Sequence, residues 1–138
     1  MSAILLLDDN AAVRMVLRKF LARGGHEVTE CASASDVIEA LSRSRPDVLI
    51  TELCMPQTDG VKLIQFVRAL YADLPVVAIT GGGLRLPRGL LLEEAKQAGA
   101  DRVLCKPVGI RELLSAVLDV VQGETSAAPL DRGDADAA

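Results

Sequence analysis

Short unbroken apolar runs alternate along this chain with longer stretches in which apolar residues return every three to four positions. Residues 3 to 7 (AILLL) are the first run, bounded by Asp8, Asp9 and Asn10. Such a run suits a strand buried on both faces of a sheet. Asn10 is a good helix N-cap, and Val13, Val16, Leu17, Phe20 and Leu21 follow at helical spacing until Gly24 and Gly25 end the pattern. Residues 27 to 31 (EVTEC) alternate apolar and polar, as a less fully covered strand does. Ser33 or Ser35 can cap the next helix, whose predicted buried stripe is Val37, Ile38 and Leu41. Pro46 cannot continue a helix and biases Arg45 out of the helical region, so the chain re-enters the sheet at Asp47. Residues 48 to 51 are largely β-branched and place Glu52 at a strand end, where Met55-Pro56 and Asp59-Gly60 supply turn chemistry.

Gly60 leads into Val61, Leu63, Ile64, Val67 and Leu70, a third amphipathic helix that stops before Pro75. Residues 76 to 80 (VVAIT) predict another buried strand, ending at the glycine run 81 to 83. That run lacks the Gly-Lys-Ser/Thr of a phosphate loop and the spacing of a dinucleotide fingerprint, so it reads as a connection extending through residue 89. A fourth helix is expected over residues 90 to 99, with Leu91, Leu92 and Ala95 inward. Residues 102 to 105 make a short last strand closed by Lys106-Pro107, and Ile110, Leu113, Leu114, Val117, Leu118 and Val121 mark a fifth helix. From Gly123 onward hydrophobicity falls and no period remains. The expected organisation is one domain over residues 1–122 and a disordered tail over 123–138.

Five strands alternating with five helices imply an α/β fold, a doubly wound parallel sheet with helices on both faces. The flavodoxin-like order 2-1-3-4-5 is expected, with its crevice where strands 1 and 3 separate. Asp8, Asp9 and Glu52 reach that crevice, and Thr80 and Lys106 arrive from the next two strand ends.

Composition narrows the reading. The 138 residues are 50% hydrophobic, enough for a single core, and the net charge of -4 without a Lys/Arg run argues against direct nucleic-acid or membrane binding. Cys31, Cys54 and Cys105 are too scattered for a disulfide framework and are expected as reduced core thiols. The apolar runs are far shorter than a membrane span, and the first residues lack signal-peptide flanks, so a cytoplasmic location is expected.

Taken alone, Glu52 reads as a solvated strand-end acid, and the whole group can be read as acids capping the first helix with Lys106 offsetting their charge. The convergence points further. Two carboxylates about 5 Å apart repel by about 3 kcal/mol at an effective dielectric near 20, so the cluster needs a cation. Either Lys106 or Mg²⁺ can supply it, and Mg²⁺ is commonly held by one or two carboxylates together with a phosphate.

With LLLDDNAAVR, the Met55-Pro56 and Asp59-Gly60 turn, Thr80 after an apolar strand, Gly99-Ala100 and Lys106-Pro107 in view, residues 3 to 122 resemble the receiver domains of two-component response regulators, whose fold is CheY-like. The resemblance implies that Asp8 and Asp9 bind Mg²⁺ with the acceptor side chain at position 52 and a backbone carbonyl at Cys54. It implies that Thr80 and Lys106 contact a phosphoryl group received from a histidine kinase or phosphotransfer protein. The signal then passes to a downstream protein through the face made by the fourth helix, last strand and fifth helix. This chain carries Glu52 where the family has the phosphoacceptor aspartate, Val103 where it has a switch aromatic, and a longer loop after Thr80.

The extra methylene of Glu52 carries the carboxylate outward by about 1.5 Å, which misplaces it for in-line attack. The same reach lets Glu52 mimic a phosphoryl group by pairing with Lys106 and Thr80. The expected function is a single-domain receiver in phosphorelay signalling with weak Mg²⁺ binding and no enzymatic activity. The alternative is a phosphorylation-independent pseudo-receiver that serves as an interaction module. A flavin protein on the same fold is disfavoured because Phe20, Phe66 and Tyr71 all fall in helix patterns, and an aspartate-dependent hydrolase because the first strand lacks an Asp-x-Asp arrangement.

Overall fold

The computed structural model describes residues 2–81 and 88–123, with backbone alone for residues 88–92. In chain order the elements are β1 (Ala3–Leu7), α1 (Ala11–Arg23), β2 (Glu27–Cys31), α2 (Ala34–Arg43), β3 (Val48–Glu52), β4 (Cys54–Met55), β5 (Thr58–Asp59), α3 (Gly60–Leu70), β6 (Val76–Thr80), α4 (Arg88–Ala98), β7 (Arg102–Cys105) and α5 (Ile110–Val121). The five long strands are parallel in the order β2-β1-β3-β6-β7. Counted among themselves this is 2-1-3-4-5, the doubly wound order the sequence predicts.

Alternation along the strands divides the core into two layers. Leu5, Leu7, Leu49, Val76, Ala78 and Val103 pack with Val37, Leu41, Ile64 and Val67 of α2 and α3. Ile4, Leu6, Val48, Ile50, Val77, Ile79 and Leu104 pack with Leu17, Leu21, Leu113 and Val117 of α1 and α5. Burial on both faces explains why these strands are continuous apolar runs, whereas β2 at the sheet edge keeps exposed Glu27, Thr29 and Glu30.

Caps fix the helix starts. Asn10 Oδ1 accepts from the backbone N–H groups of Ala12 and Val13, Ser33 Oγ from Asp36, and Asp59 Oδ1 from Val61 and Lys62. Between the two possible α2 caps, the chain uses Ser33.

Several expectations are corrected. The segment after Glu52 is a two-strand antiparallel ribbon, Cys54 opposite Asp59 and Met55 opposite Thr58, rather than a bare turn. Cys54 is exposed there, so it is no core thiol, while Cys31 is buried and Cys105 intermediate. Val16, Ile38, Leu70, Leu118 and Val121 are also largely exposed. Each helix meets the sheet along a narrower stripe than its apolar residues cover, and on α5 Ala116 and Val120 fill the inner positions instead. The α4 helix begins at Arg88, two residues earlier than expected, with Ala95 buried. Leu91 and Leu92, the glycine-run loop from residue 82 and the tail from residue 124 lie outside what the structure describes. Among the described residues no helix is long and apolar enough to cross a membrane.

At the end of the sheet opposite the crevice, Arg68 ties three segments together. Its guanidinium donates to the carbonyls of Tyr71, Ala72 and Leu74 and to that of Gly99, and pairs with Asp101 at 3.3 Å. Asp101 Oδ2 in turn accepts from Val76 N at 2.9 Å, fixing the start of β6.

Candidate functional site

Three charged side chains meet at the carboxyl edge of the sheet. The Asp8 carboxylate follows β1, Glu52 closes β3 and Lys106 follows β7. Lys106 Nζ lies 2.5 Å from Glu52 Oε1 and 2.9 Å from Asp8 Oδ2, and these two acids are only 3% and 1% exposed. Backbone pairing sets the convergence, because Lys106 N donates to Thr80 O at 2.8 Å and Leu53 N to Ile79 O at 2.8 Å. Thr80 is fully buried beside them.

The other oxygens of the two acids are also held. Glu52 Oε2 accepts from Leu53 N at 2.8 Å and Cys54 N at 2.9 Å, so the side chain curls back over its own strand end. A glutamate has the length to do this and still reach Lys106. Asp8 Oδ1 accepts from Asn10 N at 2.9 Å. Buried carboxylates are tolerated when paired and fully hydrogen-bonded, which is the situation of both.

Burial alone would depress the Lys106 ammonium, but the hydrogen bonds and negative charges of Glu52 and Asp8 outweigh it and hold the group above its ordinary value of 10.5. Lys106 is therefore a fixed cation throughout the neutral range. Burial is also the main cause that pushes the Cys31 thiol to about 11, which leaves it protonated and unreactive near neutrality.

Sequence reasoning missed the supports of this cluster. Arg14 on α1 donates to Asp8 O at 2.7 Å and pairs with Glu30 at 3.0 Å, while Arg18 pairs with the other Glu30 oxygen at 2.9 Å. An arginine one turn after the Asn10 cap was the available signal. Gly60 is the second support. A Cβ there would sit 2.6 Å from Leu53 Cα and 2.7 Å from Glu52 O, so the ribbon can close only over a glycine.

The residues expected to hold Mg²⁺ are not assembled as one set. Asp8 and Glu52 are buried and share Lys106, whereas Asp9 is exposed and faces an open cleft of about 420 Å³ with Ser33, Met55, Gln57 and Thr58. Cys54 is exposed on the ribbon, its N–H committed to Glu52. Among the described residues, no three His, Cys, Asp or Glu side chains are placed to share an ion. The arrangement does not fit the metal centre that the resemblance implies, because the longer Glu52 takes its contacts from the backbone and the lysine. Val103, expected at a switch position, is fully buried in the core layer that also holds Ala95 and Ala98 of α4.

The site and fold can be set beside known proteins. Residues 4–118 match the response regulator receiver domain model. The chain is 32% identical over 137 residues to the DNA-binding transcriptional regulator NtrC of Azospirillum brasilense, covering 98% of this chain and 28% of that protein. It is 34% identical over 114 residues to the response regulator MprA of Mycobacterium leprae, covering 83% of this chain and 48% of that protein. It thus spans at most about half the length of these relatives. The chemotaxis response regulator CheY4 of Vibrio cholerae superposes with a TM-score of 0.76 at 27% identity, over 87% of this chain and 98% of that one. Strand order and the family match agree, and the chain belongs to the receiver domain family of two-component response regulators.

Proposed function

We propose that this receiver acts in two-component signalling through protein contacts that do not depend on an acyl phosphate at position 52. The observation that carries the reading is the binding of both Glu52 oxygens, one to Lys106 and the other to two backbone N–H groups. In-line attack needs an oxygen about 3 to 3.5 Å from phosphorus with its lone pair free and aligned. Here an oxygen can be freed only by breaking the lysine pair or by unfolding the start of the ribbon. The lysine pair instead gives the site a carboxylate where a phosphoryl oxygen would stand, so Glu52 holds Lys106 as a phosphoryl group would. Partners are then a histidine kinase or phosphotransfer protein and a downstream signalling protein, met in the cytoplasm, and the chain performs no catalysis of its own.

Amide NMR spectra with beryllofluoride and Mg²⁺ test this. The natural protein should give an unchanged spectrum. Shifts spreading from Glu52 to Val103 and α4 would instead establish a working phospho-switch, the reading favoured by retention of Asp8, Thr80 and Lys106.

A further inference from the structure

We infer that the acidic crevice is neutralised by Lys106 in place of a divalent metal, and that removing this internal cation uncovers a metal site that the natural protein keeps closed. This rests on the same Glu52 and Lys106 pair as the proposed function, but it concerns charge balance and not phosphorylation. Four carboxylate oxygens belong to the two buried acids. Lys106 takes Glu52 Oε1 and Asp8 Oδ2, the N–H groups of Leu53 and Cys54 take Glu52 Oε2, and Asn10 N takes Asp8 Oδ1.

Mg²⁺ requires near-octahedral oxygens at about 2.0 to 2.1 Å and gives up its waters reluctantly. To enter, it would have to displace an ammonium that already lies within hydrogen-bond distance of both acids. It would also meet the Coulomb repulsion of that ammonium, doubled for a divalent ion. Asp9, the remaining acid, is turned outward to the cleft and contributes nothing to the buried pair. Without the lysine charge, the buried carboxylates of Asp8 and Glu52 have no ion-pair partner among the described residues, the condition under which a hard cation binds.

The test is calorimetric titration of the full chain with MgCl₂, supported by Mn²⁺ relaxation of water protons. Natural protein should show no saturable binding in the millimolar range. Lys106→Met should bind both ions and gain melting temperature as Mg²⁺ is added. Because Lys106→Met can lose stability, Glu52→Asp provides a second route, since the shorter side chain cannot hold the backbone and Lys106 together. It should bind Mg²⁺ about tenfold or more tightly than the natural protein. Saturable Mg²⁺ binding by the natural protein that disappears in Asp8→Asn would overturn the inference. So would folded Lys106→Met and Glu52→Asp proteins that bind no better than the natural one. Metal binding by the natural protein without phosphorylation would overturn this inference and leave the proposed function standing.

Discussion

Lys106 Nζ lies 2.5 Å from Glu52 Oε1, and the carboxylate it holds is 3% exposed. Removing one partner of such a buried pair strands the other, which costs more than the pair itself contributes. Lys106→Met should lower stability by about 2 to 4 kcal/mol near neutral pH, measured by urea unfolding. The folded lysine titrates above its unfolded value of 10.5, so its stabilisation is complete below that pH and is lost as pH rises through the folded pKa. The gap between the two proteins should stay constant from pH 7 to 10 and narrow only in more alkaline solution. A gap that closes between pH 5 and 8 would assign the effect to another group.

Gly60 packs under the Glu52 carbonyl with no room for a methyl group, the nearest contact of an added Cβ being 2.6 Å to Leu53 Cα. Gly60→Ala should cost about 2 to 4 kcal/mol, since the obstacles are backbone atoms that cannot rotate away. Its amide spectrum should shift at Leu53 and Cys54, the donors to Glu52. A melting temperature equal to that of the natural protein would show that the ribbon reopens freely.

Arg68 and Arg102 should respond unequally to truncation. Arg68 satisfies four carbonyls and Asp101, so Arg68→Met leaves those acceptors without it and should cost about 3 kcal/mol. Arg102 is 6% exposed and pairs with Asp119 at 2.9 Å, but its Nε and Nη2 meet no acceptor among the described residues. Arg102→Met removes two unsatisfied donors and leaves Asp119 partly exposed to water, so its cost should stay below about 1 kcal/mol. Comparable losses from the two substitutions would refute this contrast.

The strand order and the meeting of Asp8, Glu52 and Lys106 were legible in the sequence because each buried strand is an apolar run ending in a polar residue. What the runs could not reveal is where backbone donors point after a strand stops. The N–H groups of Leu53 and Cys54 face Glu52 only because the ribbon folds back over Gly60. Sequence position likewise groups Asp9 and Cys54 with the other site residues, although both are exposed. Periodicity also overstated the helix faces, since it marks Val16, Ile38 and Leu118 as apolar without saying how much of each helix the sheet can cover. Arg68 gave no signal of its tie to Gly99 and Asp101, which lie 31 and 33 residues further along the chain.

Intact-mass spectrometry after incubation with acetyl phosphate and Mg²⁺ tests most directly whether Glu52 is held away from chemistry. The natural protein should gain no phosphoryl mass, while Glu52→Asp, which frees an oxygen and retains Asp8, Thr80 and Lys106, should gain one. Stoichiometric phosphorylation of the natural protein mapped to Glu52 would contradict the locked carboxylate.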